Sequence, residues 1–395
     1  MMFTLMKKTK TLLLALCIVG IGSVTAQAQY LSLSDSAFKA GAPMTGHIWG
    51  YVFGDYYYKA HSDELKRGGG NQFTGFDKGA NAFDIRRAYL GYDFRFNKTF
   101  SSEFLLTSEN WETSTKIAPT LKYANVQWNN IFKGSTLVIG LSGTPAFGPS
   151  SEQVWGYRSI EKTIADMHKT QSYDLGVALK GRFDRRGNYG YHIMVGNGSS
   201  ANADKNNFRK FYGSVYGLFL DKKIMVNLYA DYERLDWLPG FHHAQNMEKI
   251  LISYNGKSLT AGAEAFLRHG QSDVITTSLS EGVDTVNGNA AGISLFVRGN
   301  LIREKLGFFA RTDFFNPYSD YNDAYTYKGL SAQYDPNNKE QFITAGLDFT
   351  PVKNIHLMPN IWYVGYHSQN GNLAGTAKDD YDLAYRITFY YIFGK

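Results

Sequence analysis

Sixteen segments of this chain alternate apolar with polar residues at a period of two, and the links between them alternate short with long. The segments lie near 46–58, 82–95, 100–109, 119–128, 135–143, 173–183, 189–197, 208–220, 223–233, 247–254, 258–268, 289–299, 306–315, 340–350, 355–366 and 381–393. A period of two puts successive side chains on opposite faces of a strand, so each segment reads as a half-apolar strand. In SLTAGAEAFLR, Leu259, Ala261, Ala263, Ala265 and Leu267 share one face, against Thr260, Gly262, Glu264 and Arg268, with Phe266. Every second link is short: FNKT, NNIFKG, DRRGN, DK, NGK, NLIREK and PVKN. The intervening links are mostly longer, up to about thirty residues at 144–172. A soluble sandwich has no reason to gather its long loops at one end. A membrane barrel does, with short periplasmic turns and long external loops.

The fold expected is therefore all-β: a transmembrane antiparallel β-barrel of about 16 strands. Composition agrees, with 28 Tyr, 27 Phe, 6 Trp and 40 Gly but only 9 Pro. No apolar run beyond the leader approaches the ~18 residues a membrane helix needs. The terminal segment YDLAYRITFYYIFGK places Leu383, Tyr385, Ile387, Phe389, Tyr391 and Phe393 on one face. As a free soluble edge such a strand would aggregate. In lipid the sheet must close so that no backbone group is left unpaired. Such an aromatic end also fits capture by the barrel-assembly machinery.

The N-terminus combines three lysines, the apolar stretch TLLLALCIVGIGSV and the small-residue site AQA. That pattern is a secretory signal peptide over 1–28, followed by a short periplasmic segment, 29–45, and the barrel, 46–395. Cys17 lies in the leader and is the single cysteine, so the mature chain offers no thiol for disulfide, metal or catalysis. Lys7, Lys8 and Lys10 also leave with it, and 41 basic residues become 38 against 35 acidic. This balance makes no case for nucleic acid.

Strand phase assigns inward side chains. Arg87, Lys180, Arg182, Arg268, Arg298, Arg311 and Arg386 are basic, while Asp93, Glu103, Asp174, Asp231, Glu264, Asp313 and Asp382 are acidic. A water-filled lumen explains so many ionisable groups, because each would be costly in a dry core. The arginines either attract anions along the pore or brace the wall by pairing with carboxylates. In FDIRRAYLGYDFRF, Arg86 is in phase with outward Ala88, Leu90, Tyr92 and Phe94, so the expectation is that it snorkels to the headgroups. Arg87 then faces the lumen.

The third external link, 144–172, has helical apolar spacing at Ile160, Ile164 and Met167 behind a candidate N-cap, Ser159. Its apolar stripe must pack somewhere, either on the inner barrel wall or over the rim. Folded inward, it would bring Glu152, Arg158, Glu161, Lys162, Asp166, His168 and Lys169 to a constriction.

RRAYLGYDFRF, GYRSIEKTIAD, YDLGVALKGRF and IHLMPNIWY resemble the phosphate-selective porin O/P family, and the similarity runs across most of the mature chain. The resemblance implies a sixteen-stranded, usually trimeric porin with an inward third loop and basic pore residues. Arg87 and Arg158 are the positions carried over.

Other classes fit less well. No serine–histidine context marks an outer-membrane hydrolase, so no enzyme is expected. His242 and His243 in GFHHAQ point apart on extended chain and lack an acidic complement, so neither metal nor cofactor is expected. A structural or adhesive barrel acting through its long loops is the alternative. The expectation is a bacterial outer-membrane porin, embedded in lipid as a homotrimer. It would pass small hydrophilic solutes by diffusion, with a mild anion preference.

Overall fold

The computed structural model describes residues 45–67, 76–109, 118–168, 170–204, 206–235, 240, 242–278, 282–317, 326–327, 339–367 and 379–394. The expected leader and nearly all of the segment 29–45 lie outside the described residues.

Among those residues, sixteen long strands form one antiparallel sheet that closes on itself. They are β1 (Thr45–His61), β2 (Asn81–Arg95), β3 (Phe100–Glu109), β4 (Pro119–Phe132), β5 (Ser135–Gly143), β6 (Tyr173–Arg182), β7 (Tyr189–Gly196) and β8 (Lys210–Phe219). There follow β9 (Ile224–Arg234), β10 (Ala244–Asn255), β11 (Leu259–Ser278), β12 (Gly282–Ile302), β13 (Leu306–Pro317), β14 (Lys339–Val352), β15 (Ile355–His367) and β16 (Asp380–Phe393). Each pairs with its chain neighbour, and β16 pairs with β1 from Gly50↔Phe393 to His61↔Leu383. Closure leaves the aromatic last strand no free edge, as lipid requires.

The outer face is apolar: Leu90, Ile139, Val177, Ile193, Leu228, Ile293, Leu347 and Ile387 are all exposed there. The inner face holds buried ion pairs such as Lys59–Asp382 (2.6 Å) and Lys249–Glu264 (3.2 Å). This inverts a soluble protein and makes the chain a transmembrane barrel. Among the described residues no helix is long and apolar enough to cross a membrane; strands make the crossing.

The short turns stand at one end. Two are built on backbone that favours glycine or asparagine, with Gly134 at φ 78° and Asn354 at φ 70°. At the other end β11 and β12 run well past the expected 268 and 289, to Ser278 and from Gly282, so most of that expected loop is hairpin. A two-residue strand, Thr326–Tyr327, pairs with β11 there.

Several strand pairs carry register shifts, and two of these shifts bear on the lumen beside the third loop. On β2, Phe53 of β1 pairs with Arg87 while the next residue, Gly54, pairs with Ile85, leaving Arg86 as an inserted residue. On β4, Leu105 of β3 pairs with Tyr123 while Leu106 pairs with Leu121, leaving Lys122 inserted. Each β-bulge turns two consecutive side chains to the same face. The expectation that Arg86 points to lipid is thereby overturned: Phe83 and Ile85 lie outside, then the phase slips, and Arg86 and Arg87 both face the lumen.

Candidate functional site

The link 144–172 enters the barrel. It contains one π-helical turn (Gly148–Glu152), then α1 (Gln153–Trp155) and α2 (Ile164–Met167). The helix is shorter than its apolar spacing predicts. Thr163, not Ser159, occupies the N-cap position, and Ile160 lies in the preceding turn. The stripe is nevertheless buried, with Ile160 and Ile164 at 0% exposure.

Apolar contacts fix which wall the loop covers. Phe147, Ile164 and Ala165 pack with inward residues of β5 to β13, including Val138, Met194, Tyr229, Met247, Phe266 and Phe315. Val154, Trp155 and Ile160 pack with Leu218, Met225, Leu251, Phe296, Phe309 and Met358. Trp155 is the anchor: its ring meets Phe296 at 5.6 Å and Phe309 at 6.1 Å, and Nε1 donates to the Glu161 carbonyl at 3.0 Å. Burying an indole removes a large apolar area from water, and its satisfied N–H leaves no donor unpaired.

Wall arginines hold the loop's backbone. Arg298 Nε donates to the Val154 carbonyl at 2.8 Å, beside Gly156, whose left-handed φ of 71° ends α1. Arg311 donates to the Lys162 carbonyl and is paired with Asp313. Arg386 donates to the Ile160 carbonyl at 3.1 Å, and Arg86 donates to the Ser159 and Ile160 carbonyls. Beneath them Asp55, fully buried, pairs with Arg86, lies 3.8 Å from Arg386 and accepts from the Thr388 hydroxyl. Charged donors on carbonyls are among the stronger hydrogen bonds, so this clamp fixes the loop firmly.

The loop's other edge faces β2, β3, β4 and β6 across a cavity of about 200 Å³, lined by Arg87, Glu109, Thr120, Arg158, Lys162, Asp166 and Tyr173, among others. Arg87 Nη1 donates to Glu109 at 3.0 Å and to the Tyr89 hydroxyl at 3.2 Å. Arg158 pairs with Asp166 and lies 3.7 Å from Glu152. Lys122 Nζ sits over the rings of Tyr89 (5.2 Å) and Tyr173 (5.4 Å), a cation–π arrangement. The cations Arg87, Lys122, Arg158 and Lys162 outnumber the anions Glu109, Glu152 and Asp166 by one.

Protonation follows from these neighbours. Burial pushes the Asp166 carboxyl up, but Arg158, Lys162 and Arg87 outweigh it and hold it at about 2. Burial lowers the Lys162 ammonium to about 8, with Arg87 and Arg158 adding to the effect and Asp166 opposing it. Burial also lowers His168 to about 3, helped by Arg311 and Arg268. Its neutral ring stacks on Phe315 at 3.4 Å.

The other sequence-picked residues fall elsewhere. Glu264 pairs with Lys249, and Asp382 with Lys59. Asp174 accepts from the backbone of Gly198 (2.7 Å) and Ser200 (3.1 Å), and Asp231 accepts from Met247 N at 2.9 Å. Glu103 lies at 3.5 Å from Asn125 and opposite Asp93 on β2. Arg268 is buried opposite Met247, and Lys180 pairs across from Thr136 and His192. Arg182 is exposed at the end of β6, against the turn at Gly187. Glu161 is buried behind the loop, and its Oε1 accepts from Lys162 N at 2.8 Å. Lys169 lies outside the described residues. Sequence phase missed Arg86, Asp55, Lys122 and Glu109. His243 is buried and His242 exposed. Among the described residues no group of three or more His, Cys, Asp or Glu is placed to hold a metal ion.

No protein-family model matches the chain, and no curated protein matches it. Solved structures do. The outer membrane channel DcaP of Acinetobacter baumannii superposes with a TM-score of 0.64 at 12% identity, over 90% of this chain and 99% of that one. The anion-selective porin from Comamonas acidovorans gives 0.59 at 10% identity, over 89% and 100%. Salmonella typhi OmpF gives 0.56 at 9% identity, over 88% and 97%. At such identities the likeness is one of fold: this chain is built as the sixteen-stranded barrels of outer-membrane porins are built.

Proposed function

We propose that this protein is a bacterial outer-membrane porin, a non-enzymatic, water-filled channel through which small hydrophilic solutes diffuse, with a mild preference for anions. The observation that carries the reading is the division of the lumen by one loop. One edge of the loop packs against inward residues of β5 to β13 and of β15, and the other borders a charged cavity beside β2 to β4. Four arginines hold the loop against one wall, which suits a narrowed channel better than a plug that fills the lumen.

The anion bias rests on the single excess cation around the opening, since rings of charge set pore preference. The similarity of RRAYLGYDFRF and GYRSIEKTIAD to the phosphate-selective porin O/P family points the same way, as does the fold shared with an anion-selective porin. Export by a cleaved leader, 1–28, assembly through the aromatic last strand, and a homotrimer in the membrane complete the reading.

Purified protein added to a planar bilayer separating unequal potassium chloride solutions tests it. Stepwise conductance with a reversal potential of anion-favouring sign is expected. Absence of steps overturns the channel, and a cation-favouring sign overturns the bias.

A further inference from the structure

On the short-turn side of Asp55, the inward face of β1 carries three aromatic rings in a row: Trp49, Tyr51 and Phe53. Their planes are nearly parallel, 15° and 7° apart, and their centroids lie 6.3 and 6.5 Å apart, the i, i+2 repeat of a strand. Tyr89 of β2 stacks on Tyr51 at 4.4 Å, and Tyr390 of β16 meets Tyr51 and Phe53 edge-on at 6.1 Å. Trp49 and Phe53 are buried in this stack, whereas Tyr51 and Tyr390 are half-buried and border the lumen. Inward aromatic rings on the opposite wall, such as Phe266, Phe296 and Phe309, are covered by the third loop, whereas Tyr51 keeps part of its surface open.

The ionised edge of the loop stands across from these rings. Tyr390 packs against the cluster that holds Val154, Trp155 and Ile160 of the loop, and Tyr89 accepts from Arg87 Nη1 at 3.2 Å, so the rings adjoin both the loop and the charged cavity. One side of the passage therefore offers aromatic surface, and the other offers donors and acceptors together, in the paired Arg158, Asp166 and Glu152.

A solute suited to both sides has a flat apolar face and a rim of groups that donate and accept at once. A pyranose has that build: its C–H face meets the electron-rich face of an aromatic ring, and its hydroxyls exchange hydrogen bonds with carboxylates and guanidinium. A flat aromatic anion would meet the donors but has no hydroxyl to donate to Glu152 and Asp166.

We infer that the tyrosine wall and the facing edge of the loop form a saccharide subsite within the channel, a reading that rests on the channel proposed above. Single-channel recording with maltotriose is the test. The controls are polyethylene glycol of equal hydrodynamic size and sodium benzoate.

Maltotriose is expected to reduce the current saturably and to add binding noise, while the polymer reduces it only in proportion to concentration. Tyr51→Leu is expected to raise the half-blocking concentration tenfold or more, and Tyr51→Phe, which keeps the ring, less than threefold. If Tyr51→Leu does not fold, as judged by heat-modifiable migration, Tyr390→Leu serves in its place.

Block by maltotriose no better than by polymer overturns the subsite, as does block indifferent to loss of the ring. Saturable block by benzoate in place of maltotriose overturns the saccharide assignment. A preparation without stepwise conductance contradicts the channel itself, so the two failures are distinguishable.

Discussion

Arg86 and Arg87 are sequence neighbours on one strand, yet both point into the barrel and do different things there. Arg86, inserted by the bulge, reaches behind the third loop to Asp55 and to the Ser159 and Ile160 carbonyls. Arg87 stays in front, in the cavity with Glu109. One bulge thus separates a residue that places the constriction from a residue that charges it.

Separate roles imply separable phenotypes. Arg87→Glu replaces a cation of the opening by an anion, and the reversal potential is expected to move to the cation-favouring side. Arg86→Met removes one of the four arginine donors to the loop and leaves Asp55 buried with less compensation. A loss of about 2–4 kcal/mol is expected from an incomplete buried charge pair. The measurements are the reversal potential for the first and, for the second, open-channel noise with the temperature of heat-modifiable unfolding.

Alkaline pH should weaken anion preference. Lys162, lowered to about 8 by burial, carries its charge below that pH and loses it above. The excess cation of the opening is therefore present at pH 7 and lost by pH 9. Reversal potentials at those two values should differ in the native protein, and the difference should shrink in Lys162→Arg, which stays charged throughout.

Trp155 holds the loop to the far wall. Trp155→Ala leaves a cavity among Phe296, Phe309 and Leu251 and is expected to cost about 3–5 kcal/mol of local stability. Because the barrel ladder does not depend on this ring, the sheet should survive. The loop should become accessible to added protease while the conductance rises.

Lys249 and Glu264 face each other at 0% and 1% side-chain exposure. Lys249→Met strands a buried carboxylate and should destabilise by about 3–5 kcal/mol, whereas the double change Lys249→Met with Glu264→Gln should recover much of that. Urea-dependent unfolding in detergent reads the difference.

The architecture was legible because lipid imposes a strict rule: period-two segments, short turns at one end and a closed sheet follow from residues alone. The bulges were written there too. Apolar outward residues on β2 switch from odd positions (Phe83, Ile85) to even ones (Ala88, Leu90), and on β4 from Leu121 to Val126 and Trp128. A single phase applied to the whole strand hides that slip and misplaces Arg86 and Lys122. The clamp was not legible at all. Its acceptors are backbone carbonyls of Val154, Ser159, Ile160 and Lys162, which every residue possesses, so sequence carries no signal for them.

The central claim is that the conduction path runs between the loop and β2 to β4. Thr120→Cys places a thiol in that opening, and Ile252→Cys places one on the outer face. A charged methanethiosulfonate reagent added during single-channel recording should lower the current stepwise through the first and leave the second unchanged. An unaltered current through modified Thr120→Cys channels would contradict the account.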